Sequence, residues 1–293
     1  MPRLSDCHPL VSAFFFFSVL FFAMFSGNPV LTGISLIGGV LFCFRICPAV
    51  RSFRAVAPYC CFVLLVTLVN PLVSHNGATP LIFLNGDPLT LESLLYGINL
   101  GVMLVSVFFW FRCLKEIMTE DKLLDLFGRL SPKLALVLST ALRFLPRIRQ
   151  KAQSIREAQK SLGLYTEDVW TSRWRGTVRV FSATVTWILE NAVETGTFMR
   201  ARGYGLPGRT RFSLFRFRRR DAVLLAFLLL LDAGVLCAMI TGRLSYQFFP
   251  SIVLSKPDLL ASAAILLFSV LCLLPVLLEG KENLLWRFYR SRI

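Results

Sequence analysis

The chain has 293 residues, 55% of them hydrophobic, with 27 Phe and a formal net charge of +15. So apolar a composition exceeds what one soluble core buries and points instead to a polytopic membrane protein of all-α class. Its eight cysteines fall in apolar runs or on basic segments, where thiols stay reduced. His8 and His75 have no Cys or carboxylate at ligand spacing, so neither a disulfide framework nor a metal site is read.

In chain order, apolar segments fall at Leu10 to Phe25, Pro29 to Phe44, Val56 to Val73, Leu89 to Phe111, Ala222 to Ile240 and Leu259 to Leu278. Measured against the ~20 residues needed to cross a bilayer, these are six spans. The first two are short and joined only by Ser26-Gly27-Asn28, so they tilt little, thin the bilayer locally or form a re-entrant pair. The first is not read as a cleaved leader, because only Arg3 precedes it and no small-x-small site lies before Asn28.

Basic loops are retained in the cytoplasm, so Arg45, Arg51 and Arg54 place the second loop inside. Ser74 to Pro88 is then outside, Arg112 to Arg220 inside, Thr241 to Asp258 outside, and the tail from Lys281 inside, with both termini cytoplasmic. Of 32 Lys and Arg residues, only Arg243 and Lys256 face outward. Retention on the inner side and attraction to anionic headgroups account for the charge, and nucleic acid is not read as a partner. The organisation is an N-terminal membrane part over 1–111, a cytoplasmic region over 112–220, and a C-terminal membrane part with its tail over 221–293. Asp232 is the one ionisable residue well inside a span, fit for a polar contact with another helix or with a partner.

Within the cytoplasmic region, Leu134, Leu138, Ala141, Leu145, Ile148, Ala152 and Ile155 recur in steps of three and four, the seam of one long helix. Its other face carries Arg143, Arg147, Arg149, Lys151, Arg156 and Lys160. Pro146 should bend it, and Gly163 should end it. A linker over Leu164 to Arg175 follows, with Glu167, Asp168 and the interfacial residues Trp170 and Trp174. A second helix is expected over Thr177 to Arg202, striped by Val178, Phe181, Val185, Ile188, Leu189, Ala192 and Met199. Gly203, Gly205 and Pro207 stop it, so Arg200 and Arg202 project from its last turn. A helix end bearing a guanidinium can enter a groove of a soluble partner and hold its carboxylates bidentately. On the residues alone, a lipid-facing basic hairpin whose arginines bind phosphates fits equally well.

These residues resemble the transmembrane (T) component of energy-coupling factor transporters, ATP-driven importers of vitamins and metal ions, over most of the chain. The second coupling motif of that family is matched by Ala201-Arg202-Gly203, and its Arg-Phe-Ile-Pro stretch by Arg143-Phe144-Leu145-Pro146; Asn70-Pro71-Leu72 is similar too. The first coupling motif, Ala-Gln-x-x-Arg-Gly, is met by Ala158-Gln159-Lys160-Ser161-Leu162-Gly163, with Leu162 in the arginine's place. The resemblance implies a non-catalytic subunit without cofactor in the cell membrane. It would carry two cytosolic ATPase subunits on Ala158, Gln159, Lys160, Gly163, Arg200, Ala201, Arg202 and Gly203, supported by Arg143 and Pro146. It would also hold a small membrane substrate-binding (S) subunit. No Gly-x-x-x-x-Gly-Lys-Ser/Thr loop is present, so energy must come from a partner.

Two rivals stand beside it. A conventional importer permease would share Glu157-Ala158 and Gly163, but the rest of its docking motif fails at Arg173-Trp174-Arg175-Gly176. A membrane-embedded lipid-modifying enzyme would need paired carboxylates near the interface, and only Glu120, Asp121 and Asp125, or Glu167 and Asp168, offer them. The first of these clusters suits the opening turns of a helix.

Overall fold

A computed structural model describes residues 4–46, 53–74, 77–84, 87–163, 170–207, 215–249 and 258–290. After a short 3-10 turn at Leu4–Asp6, the helices are α1 (Pro9–Phe25), α2 (Pro29–Ile46), α3 (Phe53–Val73), α4 (Leu91–Ile117), α5 (Glu120–Leu130), α6 (Pro132–Ser161), α7 (Trp170–Ala201), α8 (Arg219–Ile240) and α9 (Leu259–Arg290). The all-α membrane class holds, with one small addition. Strands β1 (Pro80–Leu84) and β2 (Asp87–Thr90) form an antiparallel hairpin inside the expected loop before α4. His75, Glu167, Asp168 and Lys256 lie outside the described residues.

The chain divides into two compact units, residues 1–123 with 215–293 and residues 124–214. In the first unit α2, α3, α4, α8 and α9 are long and apolar enough to cross a membrane. Helix α1 has 17 residues, about 26 Å at 1.5 Å per residue, and is shorter than those five. It is nonetheless central: Val11, Phe15, Phe16, Val19 and Phe22 are buried in the main core. Apolar length alone cannot separate a short span from a peripheral helix, because the difference lies in what surrounds it.

Lipid tails are as apolar as leucine, so helices in a membrane associate through close packing and polar links. Both are present here. On α4, Gly97 and Gly101 are one turn apart, and a Cβ at either would lie 3.2 Å from the backbone of Thr67 or Val63 on α3. A Cβ at Gly38 on α2 would stand 2.9 Å from Cys272 Cβ on α9. Between α2 and α4, Thr32 Oγ1 donates to Asn99 Oδ1 at 2.7 Å, the Ser35 and Ser106 hydroxyls meet at 2.7 Å, and Trp110 Nε1 donates to Ser35 Oγ at 3.0 Å. Asn70, singled out in the sequence, donates through Nδ2 to the Ser93 carbonyl at 2.8 Å and ties the end of α3 to the start of α4. Asp232 on α8 accepts a hydrogen bond from the Ser18 hydroxyl of α1 at 2.5 Å, so one of its oxygens serves a neighbouring helix.

Some boundaries in the first unit differ from expectation. Helix α4 continues beyond Phe111 to Ile117, because Arg112, Lys115 and Glu116 are good helix formers in water once the span has nucleated the helix. Helix α9 runs to Arg290, so most of the expected tail is helical.

Candidate partner-docking site

The second unit holds α6 and α7, which pack against each other. Helix α6 is continuous from Pro132 to Ser161 and runs through Pro146. It starts with a proline at its first position, where a missing N–H costs nothing. Helix α7 begins at Trp170, seven residues before the expected start, so the second half of the expected linker is its first turns. There the Trp170 and Trp174 rings stack one turn apart, with centroids 6.5 Å apart, and both are exposed.

Both motif ends stop at a glycine in the left-handed conformation. At the end of α7, Gly203 takes φ +80°; its N–H donates to the Arg200 carbonyl at 3.0 Å and the Tyr204 N–H to the Met199 carbonyl at 3.0 Å. That is the paired 5→2 and 6→1 closure of a Schellman cap, with a glycine where the left-handed conformation is required. Arg202 is the residue before the glycine, with its N–H on the Phe198 carbonyl at 3.1 Å and its side chain exposed. At the end of α6, Gly163 takes φ +74°, its N–H donates to the Lys160 carbonyl at 3.0 Å, and the Leu162 N–H meets the Ala158 carbonyl at 3.1 Å. Leu162 therefore occupies the place in α6 that Arg202 occupies in α7, and its side chain is 75% exposed.

The ends are separate sites. Trp170 and Ala201 are the limits of a 32-residue helix, about 46 Å apart at 1.5 Å per residue. The seven-residue step from Gly163 to Trp170 spans at most ~25 Å. Gly163 and Ala201 therefore lie at least ~20 Å apart, too far for one small contact. Around these caps, Ala158, Lys160, Arg200 and Ala201 are exposed. Gln159 is buried, and its Oε1 has no hydrogen-bond partner. Arg143 and Pro146 are exposed in the middle of α6, within the other half of that helix.

The expected apolar stripes are only partly covered. Leu138, Ile148, Ala152 and Ile155 are half-buried, whereas Leu134, Ala141 and Leu145 are exposed. On α7 the buried side chains are Val180 and Thr184, next to the expected stripe, and Lys151 Nζ sits 5.8 Å from the Trp187 ring centroid. Phe181 and Leu189 of the stripe remain 68% and 62% exposed, as does Val193 at 70%. Periodicity identifies an apolar face, but the neighbour that covers it is decided by tertiary packing.

Comparison with known proteins agrees in kind. The family model of CbiQ, the cobalt transport proteins, matches residues 3–214. The energy-coupling factor transporter transmembrane protein EcfT of Listeria innocua is 30% identical over 183 residues, covering 58% of this chain and 69% of that relative. The protein of the same name from Bacillus subtilis is 27% identical over 247 residues, covering 79% of this chain and 91% of its own length.

Proposed function

The chain belongs to the family of transmembrane components of energy-coupling factor transporters, and from that membership we propose that it converts the motion of two cytosolic ATPase subunits into movement of a substrate-binding membrane subunit. One ATPase docks on the end of α6, at Ala158, Lys160, Leu162 and Gly163. The other docks on the end of α7, at Arg200, Ala201, Arg202 and Gly203. Gln159 contributes by packing beneath the first contact rather than by touching the partner.

The observation that carries this reading is the pair of glycine-stopped helix ends, each closed by the glycine N–H, held at least ~20 Å apart on two long helices. A cap that satisfies its own carbonyls keeps the final turn rigid, so a push on the end moves the helix instead of fraying it. At the α7 end the guanidinium of Arg202 forms a charge-assisted contact with a carboxylate of the ATPase. At the α6 end Leu162 makes an apolar one, and the two docking sites differ in salt dependence.

The uncovered apolar face of α7, from Trp174 through Phe181 to Leu189, receives the small membrane subunit that binds a vitamin or metal ion. Exposed apolar area of this extent on a polar helix marks an interaction surface. Arg143 and Pro146 support the middle of α6. The chain resides in the cell membrane with both termini cytoplasmic, since that arrangement places nearly all basic residues inside.

The test is recovery of the intact chain from its native membrane in mild detergent, followed by mass spectrometry and an ATPase assay. Two ATPase subunits and a small hydrophobic protein should accompany it. Recovery of the chain alone, without ATPase activity, would refute the coupling role.

A further inference from the structure

The N-terminal end of α8 and the middle of α9 border a groove none of the foregoing uses. Its volume is about 930 Å3, and it is walled by Leu224, Phe227, Leu274 and Leu278, with Arg219 and Arg220 at one end. That volume lies within the ~300–1,000 Å3 typical of sites for small organic molecules. All of these residues belong to one compact unit. Val223 and Leu277 also line the groove and are 70% and 64% exposed, so it opens sideways at the level of two spanning helices. A soluble metabolite would meet an apolar wall there, whereas the tail of a lipid would meet its own chemistry.

The charged end selects the head. Arg219 and Arg220 are the first two residues of α8, where the unpaired amides of a 22-residue helix add partial positive charge. The carboxylate beside them, Asp221, is buried and already engaged. Its Oδ2 accepts the Arg218 N–H at 3.0 Å and its Oδ1 the His8 N–H at 3.4 Å. It caps its own helix and ties it to the start of α1, which leaves the two guanidinium groups to face an anion.

We propose that the groove between α8 and α9 binds one anionic phospholipid, with an acyl chain along Phe227 and Leu274 and the phosphate between Arg219 and Arg220. A lipid seated there fills the open groove between the start of α8 and the middle of α9 and fixes the depth of α8. Its leaflet follows from the orientation proposed above and is the inner one. Binding itself does not depend on that reading, so either can fail alone.

The experiment is native mass spectrometry of the full chain in mild detergent, dosed with phosphatidylglycerol or with phosphatidylcholine of the same acyl chains. One phosphatidylglycerol should be retained about thirtyfold more strongly than phosphatidylcholine, the worth of two arginines at an anionic surface. The double variant R219Q/R220Q should lose that preference while R219K/R220K largely keeps it. L224W, which fills the groove, should weaken both lipids, with an unchanged melting midpoint confirming that each variant is folded. Equal retention of the two lipids, or undiminished phosphatidylglycerol binding in folded R219Q/R220Q or L224W, overturns the proposal. Displacement of the lipid by millimolar inorganic phosphate would assign the arginines to a free anion and also overturn it, as would crosslinking of L224C to a partner subunit.

Discussion

Reversing the charge of Arg202 separates docking from folding. Its N–H bonds to the Phe198 carbonyl, and the Met199 and Arg200 carbonyls beyond it are taken by Tyr204 and Gly203. Arg202→Glu leaves all three backbone bonds in place, and the exposed side chain has no packing to lose. The cost to the fold is that of a negative charge at a helix C-terminus, about 0.3–1 kcal/mol. The cost to docking is larger. Truncating one partner of a desolvated, hydrogen-bonded charge pair costs about 2–5 kcal/mol, which corresponds to roughly 30- to 4,000-fold in affinity. Melting midpoints of the purified chain, titration with the ATPase subunits and uptake into vesicles measure the three effects. The variant should insert and melt nearly as wild type, bind the ATPases at least about thirtyfold more weakly, and fail to couple hydrolysis to uptake. Arg202→Gln, which removes the charge without reversing it, should fall between. Unchanged assembly and transport in Arg202→Glu would refute the docking role.

Leu162→Arg restores at α6 the residue type found at α7 and should leave ATPase assembly intact or strengthen it; loss of the complex would show that Leu162 fits its own apolar contact. Gly38→Val places a Cβ at 2.9 Å from Cys272 Cβ and 3.2 Å from its carbonyl oxygen, and overpacking of this kind costs about 1–3 kcal/mol. The melting midpoint in detergent should fall, and an unchanged midpoint would refute the close approach of α2 and α9. Lys122 on α5 is buried, and desolvation pushes its pKa below the ordinary lysine value, opposed in part by charges at Cys7 and Asp6. The unfolded chain then holds that proton more tightly, so stability rises with pH across the alkaline window between the lowered and the ordinary value. Lys122→Met should flatten this alkaline slope; an unaltered slope would show that another group produces it.

Much of the candidate site was legible because its signals are local. A glycine at the end of an apolar stripe can be read as a helix stop, and Gly203 and Gly163 both take the left-handed conformation that such a stop requires. Likewise, the spans follow from runs of apolar residues whose length is set by the bilayer. Other features had no local signal. The start of α7 at Trp170 was hidden because Arg173, Trp174 and Arg175 read as interfacial linker, although nothing in them prevents a helix once a neighbour supports it.

The sequence by itself determined the membrane class, the basic stretch between two groups of apolar runs and the two helix ends, since composition, charge asymmetry and turn chemistry act over a few residues. Only the tertiary structure decided which faces are covered. Gln159 turned inward while Leu162 remained exposed; α1 proved central despite its length; Phe181 and Leu189 were left uncovered; and Gly97, Gly101 and Gly38 became the points where backbones approach. The physical reason is that an apolar side chain carries the same transfer free energy toward a helix, a lipid or a partner protein. The choice among them belongs to packing between elements distant in the chain.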